Sequence, residues 1–262
     1  MGLAVVIMAG VAVTLIVTSG PGPNAISPAA RHLERVALKA TIDAGSFHYV
    51  SRFTSGGMTQ STVGDAGSSD GTQVISIGSD TFTVLVTGAD CFFQGNERQM
   101  VEQLGLPVAV ASAHAGQWIS LAPDDPPYQS VYVAVKTRSA LYSNIAFVPH
   151  QESGTSTRSG YRVLGITGPM SNQIVGGQTE KAKGTATLYV TTSRPHLPVE
   201  YTENGTITVG GQRAKSKLDI TFSRWGEAVT VNAPPGAVSY SSLGAGNGTP
   251  PTTNPPVLTS AR

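Results

Sequence analysis

Apolar and polar side chains alternate along several short stretches of this sequence, and this period of two constrains the fold more than any other feature. In residues 46–54, Phe47, Tyr49 and Phe53 fall on one face of an extended chain. His48 and Arg52 fall on the other face, as in a half-buried β-strand. The same pattern, bounded by turn residues, predicts further strands at 58–65, 72–77, 81–86, 90–94, 118–121, 161–167, 186–192, 198–203, 206–209, 217–223 and 229–231.

Helical periodicity is confined to a few blocks between these strands. Ser27 and Pro28 are suited to begin a helix, and apolar residues follow at spacings of 3 and 4 up to a break at Gly45. Further helices are predicted at 96–104, 107–115 and 128–143. Asn204-Gly205 is the strongest hairpin signal of the chain. Runs of strands with helices inserted as blocks are typical of an α+β fold with an antiparallel sheet.

The N-terminus carries the clearest targeting feature. Residues 3–17 are uncharged and almost entirely apolar, and the first charged side chain is Arg31. Pro21 and Pro23 end any helix that this run could form. Residues 1–20 are therefore predicted to be a signal peptide or an N-terminal membrane anchor rather than a buried core helix. The remaining predictions are a linker at 21–27, one domain at 28–243 and a disordered Gly/Pro/Thr tail at 244–262.

Composition and motifs give no sign of catalysis or of nucleic-acid binding. The net charge is +1, from 17 basic and 16 acidic residues, so no nucleic-acid partner is expected. The sequence contains no HExxH motif, no Cys/His cluster and no GxSxG nucleophile elbow. The single cysteine, Cys91, excludes an intramolecular disulfide, and its neighbours Phe92 and Phe93 favour a buried thiol. We predict no catalytic residue, no metal site and no cofactor, and we expect that the protein is not an enzyme.

Four short segments occur in an order that resembles a known protein family. They are 44–49 (AGSFHY), 116–120 (GQWIS), 184–200 with GTATLYV and HLPVE, and 220–237 with ITFSRWG and VTVNAPPGA. Over residues 28–243 this order resembles the LppX/LprG lipoproteins of mycobacteria and other actinobacteria. Members of that family usually carry an acylated lipobox cysteine, whereas residues 15–21 here are LIVTSGP. The chain is therefore expected to be released by cleavage or held by its apolar N-terminus.

The resemblance implies a LolA-like half-barrel, in which an antiparallel sheet curls around a hydrophobic cavity and helices cover the open side. Family members bind acylated lipids or glycolipids and help to move them. The implied partners are such a lipid, the membrane through the N-terminal apolar segment, and a membrane lipid exporter. The implied location is the cell envelope, at the outer face of the cytoplasmic membrane or in a periplasm-like space.

Strand parity supplies the candidate lining of the implied cavity. The candidates are Phe47, Tyr49, Phe53, Phe82, Val84, Val86, Leu188, Val190, Leu218, Ile220 and Phe222. A register shift of one residue would exchange the two faces, and the same side chains could instead fill an ordinary core. The leading hypothesis is an envelope lipid-binding or lipid-transport protein. The alternative is a structural or regulatory envelope module of the same fold without a ligand cavity, and a hydrolase ranks third.

Overall fold

A computed structural model describes residues 26–175, 178–209 and 211–244. The predictions for residues 1–20, for most of the linker at 21–27 and for nearly all of the tail at 244–262 lie outside the described residues. None of the described helices is long and apolar enough to cross a membrane. The described residues therefore fall almost entirely within the domain that the sequence predicts at 28–243.

The domain opens with a helix, which strands and shorter helices follow. The helices are α1 (Pro28–Ala44), α2 (Glu97–Leu104), α3 (Val108–Ala113), α4 (Tyr128–Ala134) and α5 (Thr137–Asn144), with a 3-10 turn at Tyr240–Leu243. The strands are β1 (Ser46–Ser55), β2 (Met58–Gly67), β3 (Gly71–Ile77), β4 (Asp80–Thr87), β5 (Asp90–Gln94), β6 (Trp118–Leu121), β7 (Gln151–Arg158), β8 (Tyr161–Pro169), β9 (Gln173–Val175), β10 (Gln178–Glu180), β11 (Ala182–Thr191), β12 (Pro198–Val209), β13 (Gln212–Ser223) and β14 (Val238–Ser239).

The first helix has the ends that the sequence predicts. The Ser27 side chain accepts a hydrogen bond from the Ala30 amide at 3.3 Å, which satisfies one of the free amides at the helix start. Gly45 ends the helix in the left-handed conformation, with a φ of 84°, and its amide donates to the Ile42 carbonyl. The helix that the sequence predicts between Ser27-Pro28 and the break at Gly45 is thus confirmed.

Twelve of the strands form one open sheet. Its order is β14-β6-β5-β4-β3-β2-β1-β13-β12-β11-β8-β7, and β9 pairs separately with β10. Neighbouring strands pair antiparallel except β14 and β6, which are parallel. The sheet is uncurled, with β14 and β7 as its two edges. The predicted α+β class, with a large antiparallel sheet and covering helices, is confirmed, but the curl that the half-barrel implies is not found, because the sheet stays open between β14 and β7.

The helices cover one face of the sheet and bury its apolar side chains in two clusters. The first cluster joins α1 and α5 to β1, β8, β11, β12 and β13. The second cluster joins α2, α3 and α4 to β3, β4, β5 and β6. The single helix predicted at 128–143 is in fact two helices, α4 and α5. The chain leaves the helical path between them because the Val135 carbonyl accepts a hydrogen bond from the Gly67 amide of β2 at 3.2 Å.

The hairpin predicted at Asn204-Gly205 is wrong. Both residues lie inside β12, which continues from Pro198 to Val209. Gly205 pairs with Gly184 of β11. A Cβ atom at Gly184 or Gly205 would lie 2.6 or 2.7 Å from the Met170 sulfur. The same Cβ atoms would lie even closer to backbone, 2.3 Å from the Asn204 oxygen and 2.4 Å from the Lys183 oxygen, so the close approach of the two strands requires glycine at this pair.

Two other segments differ from the sequence-based expectation. The sequence pattern does not predict β7, since its residues are polar and mostly exposed at the edge of the sheet. The strand predicted at 229–231 is absent from the described structure, where these residues belong to an irregular segment, 224–237. This segment passes the adjoining ends of β1, β2 and β3 on its way from β13 to β14.

Candidate functional site

The candidate lining residues all lie on the helix-covered face of the sheet. The register places Tyr49 opposite Phe222 and Phe53 opposite Leu218, so β1 and β13 present these side chains together. The first cluster contains Phe47, Tyr49, Phe53, Leu188, Val190, Ile220 and Phe222, with Leu218 half-buried beside them. The second cluster contains Phe82, Val84 and Val86. The structure thus gathers the candidates into two neighbouring groups, and their role as lipid contacts stays a prediction.

A strip of buried polar side chains lies between the two clusters. It consists of Gln60 and Thr62 of β2, Gln73 of β3 and the Tyr49 hydroxyl, and we call it the polar seam. Tyr49 and Gln73 pair with Gly64 from opposite sides. A Cβ atom at Gly64 would lie 2.5 Å from the Tyr49 ring, so only glycine lets this ring lie across β2 toward Gln73.

The polar seam contains atoms without hydrogen-bond partners in the described structure. They are the Tyr49 hydroxyl and the Oε1 atoms of Gln60 and Gln73. Gln73 and Asn144 lie near the Tyr49 hydroxyl without forming a well-aligned bond, and burial raises the pKa of Tyr49 far above its usual value. A buried polar group left unpaired costs about 1–3 kcal/mol. The seam is therefore suited to a ligand that places polar groups between two apolar parts.

A carboxyl group is buried within the first cluster. Tyr201 and Glu203 share the covered face of β12, and the Tyr201 hydroxyl lies 2.6 Å from Glu203 Oε1 and 3.0 Å from the Ala146 carbonyl oxygen. Glu203 Oε2 has no partner among the described residues. Burial raises the pKa of Glu203 to about 7, although the hydrogen bond from Tyr201 acts in the opposite direction. This acid therefore changes its charge near neutral pH inside the core.

A groove of about 560 Å³ runs between α1 and α5 at the surface of the helix layer. Its lining residues are Arg31, Glu34, Arg35, Leu38, Lys39, Ile42, Asp43, Arg138 and Tyr142. Burial raises the pKa of Glu34 to about 7, and the charges of Arg31 and Arg35 only partly counter this effect. The groove thus combines apolar side chains with a rim that is mainly cationic.

A second concave space, of about 200 Å³, lies between the segment 224–237 and the adjoining ends of β1, β2 and β3. His48 Nδ1 lies 2.8 Å from Asp65 Oδ1, and Arg224 donates to the same carboxylate oxygen at 2.6 Å. Arg224 also contacts the His48 ring. Because Arg224 and His48 both bond the Asp65 carboxylate, we interpret this cluster as structural. It fixes the start of the segment 224–237 to β1 and β2. Within the described ranges, no three acidic, histidine or cysteine side chains are placed to hold a metal ion.

Sequence reasoning did not single out Gln60, Gln73 or Glu203. A signal for them exists, since each occupies a strand position whose neighbours at a spacing of two point toward the covered face. A polar residue at such an inward position marks a site where packing alone does not explain the sequence. The cations of the α1–α5 groove have a second signal, their spacing of four residues along α1.

Comparison with known proteins finds similar structures only. No protein-family model and no curated protein sequence matches the chain. The fold is similar to that of LprF from Mycobacterium bovis, with 18% identity, a TM-score of 0.47, and coverage of 80% of this chain and 99% of LprF. It is also similar to MucB, solved in complex with MucA(peri), with 11% identity, a TM-score of 0.34, and coverage of 82% of this chain and 58% of MucB. LprF belongs to the LppX/LprG group that the sequence resembles, and the likeness is one of fold.

Proposed function

We propose that this protein binds an envelope lipid, without catalysing a reaction, and shields the acyl chains of that lipid between the sheet and its helices. The observation that carries this proposal is the polar seam, where unpaired atoms of Tyr49, Gln60 and Gln73 lie between two apolar clusters. A lipid has the complementary pattern, because ester, hydroxyl or sugar groups join its apolar chains. Each CH₂ group that leaves water contributes about 0.8 kcal/mol, so even partial enclosure gives substantial affinity.

Ordinary core filling accounts for the two apolar clusters but not for the seam between them. Leucine or valine at positions 60 and 73 would preserve the strand period and avoid about 1–3 kcal/mol for each unpaired group. Hydrogen bonds to the polar groups of a bound lipid would satisfy these amides and would explain why glutamine is buried at both positions. Transport of the bound lipid, in concert with a membrane lipid exporter, is the finer form of the proposal.

Substitution of Leu188 or Val84 by tryptophan tests the proposal, with Val63→Trp as the matched control. Leu188 lies in the first cluster and Val84 in the second, whereas Val63 is exposed on the opposite face of the sheet. Each protein is produced in an actinobacterial host, its lipids are extracted and measured by mass spectrometry, and its stability is measured by urea unfolding. We expect lipid on the wild type and on Val63→Trp. Leu188→Trp or Val84→Trp should lose most of that lipid with little change in stability.

A protein without a lipid site would give a different result in both measurements. If the wild-type protein carries no lipid and both buried tryptophans lower the free energy of unfolding by roughly 1–3 kcal/mol, the clusters are a filled core. The alternative of a structural or regulatory module would then replace lipid binding.

We also propose that residues 28–262 lie outside the cytoplasmic membrane, in the cell envelope. The support is the uncharged apolar run at 3–17, followed by Pro21 and Pro23. A fusion of residues 1–40 to a reporter enzyme that is active only after export should be active. The same fusion with charged substitutions Val11→Arg and Val13→Arg should be inactive. A well-expressed but silent wild-type fusion would contradict export, and labelled palmitate should not enter the N-terminus because residues 15–21 contain no cysteine.

A further inference from the structure

A row of cations runs along the exposed side of α1. Arg31, Arg35 and Lys39 are spaced by four residues, so their side chains lie above one another on one face of the helix. All three side chains are exposed. Lys39 forms an exposed ion pair with Asp43, while neither arginine takes part in a salt bridge within the part of the chain that the structure describes. Both guanidinium groups are thus available to an external anion.

α5 completes this surface on the other side of the groove. Arg138 lies there with its guanidinium carbon 5.8 Å from the centre of the Tyr142 ring. The exposed Tyr142 ring and the half-buried Ile42 supply apolar surface between the two helices, above the buried Leu38. Glu34 lies between Arg31 and Arg35 along α1. Because its pKa is raised to about 7, it is only partly ionised near neutral pH and cancels little of their positive charge. Cations around aliphatic and tyrosine side chains are the pattern of a surface that rests on a bilayer with anionic headgroups.

The position of α1 in the chain places the groove near the membrane that the apolar N-terminus is proposed to enter. Residues 18–27, a stretch of ten, separate the apolar run from the start of α1. Ten extended residues reach at most about 35 Å. The first helix is therefore the part of the domain with the least freedom to move away from the bilayer.

We propose that the groove between α1 and α5 docks onto the anionic phospholipid headgroups of the membrane and turns this side of the domain toward the bilayer. Charge complementarity selects headgroups over a protein partner, because the cations flank the exposed Tyr142 ring, which can touch the membrane interface. This inference rests on the proposed export of the domain and is independent of lipid binding inside the sheet. Each cation near an anionic surface should raise the affinity about fivefold.

Vesicle binding of the full-length chain tests the docking surface. The vesicles are phosphatidylcholine alone or phosphatidylcholine with about a quarter phosphatidylglycerol, in about 0.1 M salt. Binding to neutral vesicles reports the apolar N-terminus, and the anionic-to-neutral affinity ratio reports the groove. The triple variant Arg31→Gln, Arg35→Gln, Arg138→Gln should lower this ratio at least about tenfold. The matched control removes three exposed cations of β13 by Arg213→Gln, Lys215→Gln and Lys217→Gln, and should change the ratio by less than about threefold.

Every result of the vesicle experiment either supports or contradicts docking of the groove onto the membrane. An unchanged ratio in the groove variant, or an equal fall in both triple variants, overturns the proposal, since the attraction would then be absent or due to net charge alone. Because all six side chains are exposed, both variants should keep the wild-type circular dichroism spectrum. Inorganic phosphate at constant ionic strength should not compete with the vesicles, and competition would assign the groove to a free anion instead of a membrane. Failure to bind neutral vesicles would count against the N-terminal anchor, while the lipid extracted from the tryptophan variants reports the internal site separately.

Discussion

Glu203→Gln should flatten the dependence of stability on pH between mildly acidic and mildly basic conditions. Burial raises the pKa of Glu203 from 4.5 to about 7, so the folded protein holds a proton that the unfolded chain releases. Stability is therefore greatest below the unfolded pKa and declines as the pH rises toward and through 7. Glutamine keeps an oxygen that can accept from Tyr201 and carries no charge at any of these pH values.

The expected size of the change follows from the two pKa values. With 4.5 in the unfolded chain and about 7 in the folded protein, Glu203 alone lowers the free energy of unfolding by about 2.5 kcal/mol between about pH 5 and about pH 8. The wild type should lose this amount in addition to the contributions of other groups, among which Glu34 acts in the same direction. Glu203→Gln should lose correspondingly less over the same range.

Urea unfolding at a series of pH values, followed by tryptophan fluorescence, measures this difference. Glu152→Gln is the matched control, because Glu152 is exposed on β7 and its replacement should leave the pH profile parallel to that of the wild type. If Glu203→Gln and the wild type give parallel profiles between about pH 5 and about pH 8, Glu203 is ionised at little cost in the folded protein. The inference of a poorly solvated buried acid would then be wrong.

Two glycine substitutions test the close contacts on the covered face. Gly64→Ala should lower the free energy of unfolding by about 1–3 kcal/mol, because its Cβ would lie 2.5 Å from the Tyr49 ring. Gly205→Ala should have an effect of similar size, because its Cβ would lie 2.4 Å from the Lys183 carbonyl oxygen and 2.7 Å from the Met170 sulfur. Gly154→Ala in β7, where a Cβ meets no atom within 4 Å, should change stability by less than about 0.5 kcal/mol in the same urea titration. Equal effects at the three positions would show that the contacts are not as close as described.

Local patterns in the sequence predict most of the strands and the first helix. Phe47, Tyr49 and Phe53 alternate with polar residues because one face of β1 is covered and the other is not. Ser27 and Gly45 mark the ends of α1 by their own side-chain and backbone preferences. Such signals act within a few residues, so they survive in a single sequence without any knowledge of tertiary contacts.

The errors arise where distant residues decide the structure. Asn204-Gly205 has the local preference of a turn, but Gly205 pairs with Gly184 and makes room for Met170, and neither partner is near it in sequence. β7 has no apolar period because it is an exposed edge, so pairing with β8 is what makes it a strand. The break between α4 and α5 likewise depends on Gly67 of β2. In each case tertiary contacts override the local preference.

Strand parity shows which way a side chain points but not how far away the opposing layer lies. That distance depends on contacts between remote residues, such as the bond from the Thr137 hydroxyl to the Gly45 carbonyl at 2.6 Å, which holds α5 against the start of β1. Parity therefore identifies the covered face, where the protein's own side chains enclose Leu188 and Val190 completely, so that a lipid must displace part of this packing to enter. The polar seam indicates where a ligand would make contact. Apolar residues at positions 60 and 73 would keep the same strand period and would leave no side-chain polar atom unpaired there. Buried glutamines between two apolar clusters favour a ligand that meets them with polar groups of its own.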